Sequence, residues 1–412
     1  MSSGRKDEGR LSSGDETLLG IVSSPTQVAV LDTAQLDTVQ LFGLSIGDQT
    51  IQIDEMFPLD SSALLPSPLN SFNLRVPPPS LPWYLEPGSW DIDRIADSEY
   101  AQPFTSRVLT SFIDEFKSWL AKWVDTGTCP FIHCRIYAHQ IPRCVQDAYT
   151  TLSTYQNRTP ENSSIITGLV EERMKQLLND QPASTDMTPF QHLARVHALT
   201  VYQTIGLYDG DIRLRHVAET QIPTLNSWLR QLVQSAASTA KQGADKFISP
   251  LLFPPGQEGP DFPSPQPVTK TNINAGETAT LIAGSSSLLG PEDTAWYAWL
   301  FAETIRRTWF TSCCVQTIYL TLQVRWAPCP GGLPLTTRKG MWTAGSAHAW
   351  SSMYEQCGRL EDSLDFVRRD QAFRIFQEKD LDDLDEFPRR MLEMTFGMDR
   401  VEQWKAAVGP GR

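Results

Sequence analysis

Apolar residues recur at three- and four-residue steps through most of the chain after Pro103, and this spacing constrains the fold more than any other feature. In the first such segment Val108, Phe112, Phe116 and Trp119 share one face of a helix, with charged residues between them. No segment sustains the strict alternation of apolar and polar residues that is typical of a half-buried strand. We therefore predict an all-α fold for this part of the chain.

The helices beyond the first segment are predicted from the same spacing and from helix-end signals. The clearest start is at Thr188, which can cap a helix whose first turn holds Pro189 and whose Gln191 can complete a capping box. A further helix is predicted to begin at Pro142. The other predicted helices cover residues 222–240, the segment from Pro291 to Ile318, and residues 338–358, 360–378 and 387–404.

The first hundred residues differ from this helical body in charge and in patterning. They carry 15 acidic and five basic residues, and between Leu11 and Leu74 there are eight carboxylates and no basic residue. Short apolar islands, such as Val39–Leu44 and Met56–Leu59, stand among these charges. We predict that residues 1–101 form a disordered acidic tail. Its composition fits an activation segment that folds on a partner, and it equally fits an inert solvated tail.

The body is predicted to cover residues 102–405 as one domain that contains a long loop. Residues 250–267 hold seven prolines, and glycine and serine recur through Gly290. Proline and glycine in this density interrupt helical periodicity. We therefore expect a Pro/Gly/Ser-rich loop at about residues 242–290 within the domain.

Reactive groups do not gather into a recognisable enzymatic or metal-binding motif. The sequence has no glycine-rich phosphate loop and no Gly-x-Ser-x-Gly turn, and its seven cysteines include no Cys-x-x-Cys pair. We expect His197 to be a core histidine, His133 to be a hydrogen-bonding one, and Cys313 and Cys314 to be small core residues. The acidic run Asp380–Glu386 is expected to start a helix rather than bind calcium, because it lacks the glycine of a calcium loop. No catalytic, cofactor-binding or metal-ligating residue, and no cofactor, is predicted.

Signals for export or membrane insertion are absent from the sequence pattern. The residues after Met1 form no apolar core of a secretory signal, and no apolar run reaches the roughly 18 residues that span a bilayer. An odd number of cysteines spread along the chain suits reduced thiols better than a disulfide framework. We expect a soluble intracellular protein without a membrane partner.

Four passages of the body have a distinctive aromatic content. The most specific is residues 296–309, a tryptophan-rich helical segment that contains Glu303 and the pair Arg306 and Arg307. The others are Pro130–His133 followed by Tyr137, Pro142, Gln146–Ala148 and Tyr155, then Met341–Ala344 with Trp350, and finally Phe387–Trp404. Together they resemble, over roughly residues 104–405, the regulatory (middle homology) domain of fungal binuclear zinc-cluster transcription factors. The resemblance is greatest to factors that serve secondary-metabolite gene clusters.

The residues of the tryptophan-rich segment are expected to have structural roles. Glu303 and Arg307 are four positions apart and can pair on one helix face, which contributes a few tenths of a kcal/mol when such a pair is exposed. The tryptophans are expected to lie in the core, because their helical spacing among aliphatic residues is that of a buried face.

The resemblance implies a nuclear regulator of transcription, with activator function, that is not an enzyme and controls a fungal secondary-metabolite gene cluster. Its expected partners are the transcription machinery, a DNA-binding partner factor, or a second chain in a homo- or heterodimer. Such factors usually begin with six cysteines that hold two zinc ions, whereas the first hundred residues here contain no cysteine. Direct DNA binding is therefore not expected.

Several explanations of this departure remain open. The chain can be a co-regulator that acts through a DNA-binding partner, a truncated gene product, or a protein with a further contact surface that the sequence does not reveal. The alternative from another class is a helical enzyme or small-molecule-binding protein of the same pathway, because a fold alone does not determine a function.

Overall fold

The computed structural model describes residues 43–46, 49–52, 81–93, 104–180, 187–253, 289–357, 366–367, 372, 374–379 and 381–408. The chain divides into two units, Met1–Thr50 and Ile51–Arg412. Strands β1 (Gly43–Ile46) and β2 (Gln49–Gln52) pair as a short two-stranded sheet. Apart from these strands and residues 81–93, the predicted acidic tail lies outside the described residues.

Helices make up nearly all of the regular structure in the described part of the unit Ile51–Arg412, which confirms the all-α prediction. The helices are α1 (Ser106–Thr126), α2 (Arg143–Gln156), α3 (Ser163–Asn179), α4 (Pro189–Tyr208), α5 (Ile212–Thr220), α6 (Ile222–Ala240), α7 (Ala244–Leu252), α8 (Pro291–Val324), α9 (Ala347–Tyr354), α10 (Ile375–Glu378), α11 (Glu386–Phe396) and α12 (Met398–Val408). Short 3-10 turns cover Trp83–Leu85, Pro87–Trp90, Cys134–Tyr137 and Leu381–Asp383.

Helices α4 and α8 form the centre of the domain. Every residue of α4 is buried except Gln191 and Tyr208, and α8 is buried without interruption from Trp296 to Trp309. Helix α4 packs against α2, α5 and α6, while α8 packs against α1, α7 and α9. A helix that is covered on all sides needs apolar or internally paired residues all around it, which explains why neither helix is strongly amphipathic.

A ladder of polar contacts joins α4 to α8 inside the core. The ring of His197 contacts the Thr308 hydroxyl at 2.7 Å, and the hydroxyl of Thr200 contacts that of Ser312 at 2.7 Å. The amide of Gln316 donates to the side-chain oxygen of Gln203 at 2.9 Å. The residue numbers of the paired side chains increase together along the two helices, so α4 and α8 run in the same direction. Each rung satisfies groups that would be costly to bury alone, and the ladder therefore favours one register of the two helices.

The start of α4 confirms the predicted capping box. The Thr188 hydroxyl accepts the backbone N–H of Gln191 at 3.3 Å, and the Gln191 side chain accepts the backbone N–H of Thr188 at 2.9 Å. Pro189 occupies the first turn. The capping signals of this helix therefore lie within four consecutive residues.

The segment after α8 differs from the two predicted helical stretches at 338–358 and 360–378. Among the residues that the structure describes there, α9 and α10 are the α-helices, and β3 (Leu335–Thr336) pairs antiparallel with β4 (Phe366–Val367). Gly331 and Gly340 have positive φ angles of 81° and 90°, a conformation that ends helical geometry. The helical prediction was therefore wrong at residues 338–346 and 366–367, while residues 358, 360–365, 368–371 and 373 of the two stretches lie outside the described residues.

The predicted loop at 242–290 also contains regular structure at its start. Helix α7 follows Gly243, whose φ of 100° turns the chain, and buries Phe247, Ile248 and Leu251. The Phe247 ring packs against Phe301 of α8 at 4.8 Å between centroids. Three apolar residues on one face were enough to dock this helix. Residues 254–288 of the predicted loop lie outside the described residues.

Residues 81–93, here called the aromatic strap, belong to the helical body rather than to the predicted tail. Tyr84, Leu85 and Trp90 are buried. The Tyr84 hydroxyl donates to the carbonyl of Ala295 at 3.1 Å, and Asp93 forms a backbone bridge to Gly332. The described part of the body therefore includes residues that lie before the predicted boundary at 102.

Two glycines in helices make a matched test of this packing. A Cβ at Gly206 of α4 would lie 2.6 Å from the Cβ of Ala218 in α5, whereas a Cβ at Gly168 of α3 would meet no atom within 4 Å. We expect Gly206→Ala to lower the free energy of unfolding by about 1–3 kcal/mol, because α5 must move away. Gly168→Ala should raise it by roughly 0.5–1 kcal/mol. Thermal melting of both purified variants checks the opposite signs, and equal shifts would contradict the close approach of α4 and α5.

Candidate functional site

The most unusual side-chain arrangement in the described residues is a buried group of charges on α8. Arg307 donates from Nε to Glu303 and from Nη2 to Asp385, each at 2.9 Å, and from Nη1 to the carbonyl of Pro130 at 3.1 Å. Glu303 is completely buried and Arg307 is almost so. We call Glu303, Arg307 and Asp385 the charged cluster. Its geometry joins α8 to the chain before α11 and to the segment after α1.

The second carboxylate oxygen of Glu303 is also satisfied. It accepts the Thr336 hydroxyl at 3.0 Å, and the backbone N–H of Thr336 lies 3.2 Å from the first oxygen. The guanidinium carbon of Arg307 lies 4.2 Å from the Trp342 ring centre and 4.9 Å from that of Phe387. Hydrogen bonds and ring faces thus replace the water that these charges lose on burial.

Arg306, the neighbour of Arg307, holds the aromatic strap against α8. Its Nη2 donates to the carbonyl of Tyr84 at 2.6 Å and its Nε to the carbonyl of Ser89 at 3.4 Å, and its guanidinium carbon lies 4.7 Å from the Trp90 ring centre. Burial lowers the pKa of Arg306 to about 10, while the charge of Glu303 opposes this shift. The side chain therefore remains protonated at neutral pH.

A cleft of about 320 Å³ lies over the charged cluster. Helix α1 contributes Lys122, the following segment contributes residues 128–130 and 133–135, and the chain before α9 contributes residues 342–345. Arg307 and residues 385–387 complete the lining. Four stretches that are far apart in the sequence, residues 122–135, Arg307, 342–345 and 385–387, therefore meet at one surface depression.

His133 and Cys134 line this cleft, but they do not form an activated nucleophile. The Nδ1 atom of His133 accepts the backbone N–H of Arg135 at 3.2 Å and lies 4.0 Å from the sulfur of Cys134. Burial, together with the charges of Arg135 and Arg307, lowers the pKa of His133 to about 4. His133 is therefore neutral at pH 7, and no imidazolium is available to stabilise a thiolate. The predicted hydrogen-bonding role of His133 is confirmed.

His197 is a core histidine, as predicted. It is fully buried and bridges the Tyr137 hydroxyl at Nδ1 and the Thr308 hydroxyl at Nε2, each at 2.7 Å. Burial lowers its pKa to about 3. The neutral ring can donate at one nitrogen and accept at the other, which satisfies both contacts. Cys313 is buried as predicted, whereas Cys314 is only partly so.

The depressed pKa of His197 makes the fold sensitive to acid. An unfolded histidine takes up a proton near pH 6.5, whereas folded His197 does so only near pH 3. The unfolded state therefore binds more protons in this window, and stability falls as the pH is lowered from 6.5 towards 3. We expect His197→Asn to be less stable at pH 7. Its free energy of unfolding should also lack the pH dependence that His197 contributes, which is up to roughly 1.4 kcal/mol per pH unit. Urea unfolding between pH 4.5 and 7 measures how the stability of the parent and of the variant changes with pH. The same pH dependence in both proteins would refute the assignment of this effect to His197.

Two further properties concern the described residues only. No group of three or more His, Cys, Asp and Glu side chains in the described ranges could hold a metal ion. Among the helices of the described residues, including the 34-residue α8, none combines the length and apolar character needed to cross a bilayer.

Comparison with curated proteins finds a relative that is a transcription factor. The chain is 26% identical over 261 residues to the transcription factor gsfR2 of Penicillium aethiopicum. The matched segment covers 63% of this chain and 53% of that protein, so the chain spans about half the length of its relative. No protein-family model matches the sequence, and no solved structure matches it. The chain is thus similar to a fungal transcription factor over more than half of its length.

Proposed function

We propose that this protein regulates transcription and that its helical body is a regulatory domain of the middle homology type. The observation that carries the proposal is the similarity to a transcription factor over 261 residues. A helical domain with a polar ladder and a charged cluster inside it has a strongly specified arrangement of helices. Such a domain can present fixed surfaces to other proteins.

The same proposal assigns no catalytic step to the protein. Glu303 and Arg307, two of the almost fully buried charged residues in the described part of the chain, direct their hydrogen bonds to protein groups. His133 and Cys134 lack the protonation state of an activated pair, as described above. Charged and nucleophilic side chains of this kind are the ones that enzymes use most often. Their contacts here support a structural role instead.

The finer parts of the proposal concern location, targets and partners. The protein acts in the nucleus, controls a secondary-metabolite gene cluster, and reaches promoters through a DNA-binding partner. The acidic residues 1–101 activate transcription by docking their apolar islands on the transcription machinery. The acidic segment is assigned to activation, and DNA binding to a partner, because the 15 carboxylates of that segment repel DNA phosphates.

Deletion of the gene tests the proposed role. We expect transcripts of neighbouring biosynthetic genes to fall, and reintroduction of the gene to restore them. Intact transcripts together with an accumulating pathway intermediate would instead support the alternative, an enzyme of that pathway. RNA sequencing and metabolite profiling of the same cultures distinguish the two results.

Fusion of the full chain to a heterologous DNA-binding domain tests the acidic segment. We expect reporter activation, and we expect it to be lost on replacing Met56, Phe57 and Leu59 by serine. A control that replaces Ser61, Ser62 and Ser67 by alanine should retain activation, because it leaves the apolar island intact. Equal reporter activation by both variants would show that this apolar island is not needed for activation. A parent fusion that does not activate the reporter would contradict the activator role.

A further inference from the structure

The C-terminal end of α8 departs from ordinary backbone geometry. Arg325 ends the helix in the left-handed conformation, with a φ of 65°, and its N–H donates to the carbonyl of Thr321 at 2.9 Å. It is the one non-glycine residue with a positive φ in the described part of the chain. Glycine is the usual residue at such a helix end, because a Cβ makes this conformation costly. An arginine here therefore costs backbone energy that a glycine would not, and such costs are typical of functional positions.

The side chain of Arg325 contributes little to the fold. Its Nη1 lies 3.5 Å from the Ser106 hydroxyl at the start of α1, which is a long contact at an exposed position. Arg107, the next residue of α1, is exposed as well. Neither arginine forms an ion pair with a described residue. Two exposed cations without a charged partner therefore belong to the elements that meet where α8 ends and α1 begins.

Trp326 follows Arg325 and presents its ring to solvent. All twelve tryptophans of the chain lie in the described residues, and Trp326 is the exposed one among them, at 46%. No ring, cation or hydrogen-bond partner of its side chain occurs among the described residues. Its sequence neighbours Val324 and Pro328 are half-buried. We call Arg107, Arg325 and Trp326 the α8-end patch. Tryptophan and arginine are enriched among the residues that carry most of the binding free energy at protein interfaces.

The chain segments that form the α8-end patch lack carboxylates. Residues 304–354 and residues 104–113 contain no aspartate or glutamate, although the whole chain has a net charge of −13. Asp93, whose backbone bridges Gly332, is a carboxylate on the neighbouring aromatic strap. The α8-end patch is therefore cationic and apolar on a protein that is acidic overall.

We propose that the α8-end patch docks a segment of a partner protein in which aromatic side chains stand among carboxylates. An aromatic side chain of the partner packs on the Trp326 ring, and its carboxylates pair with Arg325 and Arg107. Charge complementarity selects this partner, because an acidic segment gains ion pairs at the patch whereas a basic one is repelled there. The inference goes beyond the role in transcription and depends on binding alone, so its failure would leave that role untouched.

The chemistry of the partner is tested with three synthetic decapeptides that differ in one property at a time. Isothermal titration calorimetry on the full chain compares a repeat of Asp-Phe with a repeat of Ser-Phe, which lacks the charge, and with a repeat of Asp-Ala, which lacks the rings. We expect the Asp-Phe peptide to bind at least about tenfold more tightly than either. Equal affinity for the three peptides, or no measurable binding of the Asp-Phe peptide, would overturn the proposal.

A pair of surface variants tests the location. Trp326→Ser should weaken binding of the Asp-Phe peptide by about tenfold or more. Ile141→Ser removes another exposed apolar side chain, which is 52% exposed and lies near the other end of α8, where the His139 ring packs on Tyr297. This control should leave binding unchanged, and both variants should melt close to the temperature of the parent. Unchanged affinity in Trp326→Ser, or an equal loss in both variants, would refute the site.

Arg325→Gly separates docking from folding. Glycine adopts the positive φ without strain, so this variant should melt at or above the temperature of the parent. It should nevertheless bind the Asp-Phe peptide about fivefold or more weakly, because one of the two cations is lost. A variant that melts as expected and binds the peptide as tightly as the parent would show that the arginine does not serve docking.

Sedimentation velocity distinguishes the proposed partner from a second copy of the chain. We expect the parent and Trp326→Ser to sediment with the same oligomeric state, because the partner is a different protein. A parent dimer that Trp326→Ser converts to a monomer would make a second copy the occupant of the α8-end patch and would overturn the proposal.

Discussion

Arg307→Ala is expected to destabilise the folded domain by roughly 3–5 kcal/mol, the largest effect of any single substitution considered for this protein. Removal of the guanidinium leaves the carboxylates of Glu303 and Asp385 without the cation that they share. The carbonyl of Pro130 also loses its donor. Because a domain is typically stable by only about 5–15 kcal/mol, this loss should be visible as a large fall in the melting temperature.

Arg143→Ala is the matched control for this prediction. Arg143 pairs with Asp147 four positions away, with the same spacing as Glu303 and Arg307, but its side chain is 78% exposed. We expect the free energy of unfolding to fall by less than about 0.5 kcal/mol, since water screens exposed ion pairs. Equal losses for Arg143→Ala and Arg307→Ala would mean that burial does not strengthen the cluster.

A neutral version of the charged cluster keeps the prediction testable when Arg307→Ala fails to fold. The triple variant Glu303→Gln, Arg307→Met, Asp385→Asn removes all three charges while retaining similar side-chain volumes. We expect it to recover more than half of the stability lost in Arg307→Ala, because no unpaired charge remains buried. Chemical denaturation of the parent and the variants measures this recovery, and a triple variant as unstable as the single one would refute the electrostatic explanation.

Arg306→Met should release the aromatic strap from α8. The change leaves the carbonyls of Tyr84 and Ser89 without their donor and removes the cation from the face of Trp90. We expect a loss of about 2–4 kcal/mol, since each unsatisfied buried carbonyl costs roughly 1–3 kcal/mol. Chymotrypsin under native conditions should then cleave after Trp83 and Tyr84, which mass spectrometry detects.

Tyr84→Phe provides the control for the strap. It removes only the hydrogen bond from the Tyr84 hydroxyl to the carbonyl of Ala295 and keeps the ring in place. A loss of about 1 kcal/mol is expected, with the strap still protected. If chymotrypsin spares the strap in Arg306→Met as well, then aromatic packing alone holds residues 81–93 and Arg306 is not its anchor.

The extent to which the sequence was sufficient can be seen in particular elements. The start of α4 was predictable because Thr188, Pro189 and Gln191 form its cap within one helical turn. The pairing of Glu303 with Arg307 was predictable from their spacing, but its burial and its third partner were not. The helical prediction at 338–358 was mostly wrong because the positive φ of Gly340 outweighed local propensity.

The cleft and the strap contain contacts that no local pattern indicates. Arg306 meets Tyr84 across 222 positions, and Arg307 meets Pro130 across 177. The tryptophan-rich segment showed that these arginines lie among aromatic residues, yet it gave no sign of which chain segments they join. Only the packed domain brings Lys122, His133 and Arg135 to the same cleft as Phe387.

The amino-acid sequence alone predicted an acidic disordered tail followed by a helical body, together with several of the helix starts. These features depend on charge, periodicity and capping, which act between residues a few positions apart. The tertiary structure decided which charges are buried, that residues 81–93 belong to the body, and where a cleft opens. Those outcomes depend on contacts between distant segments, whose free energy is gained only when the whole core is packed.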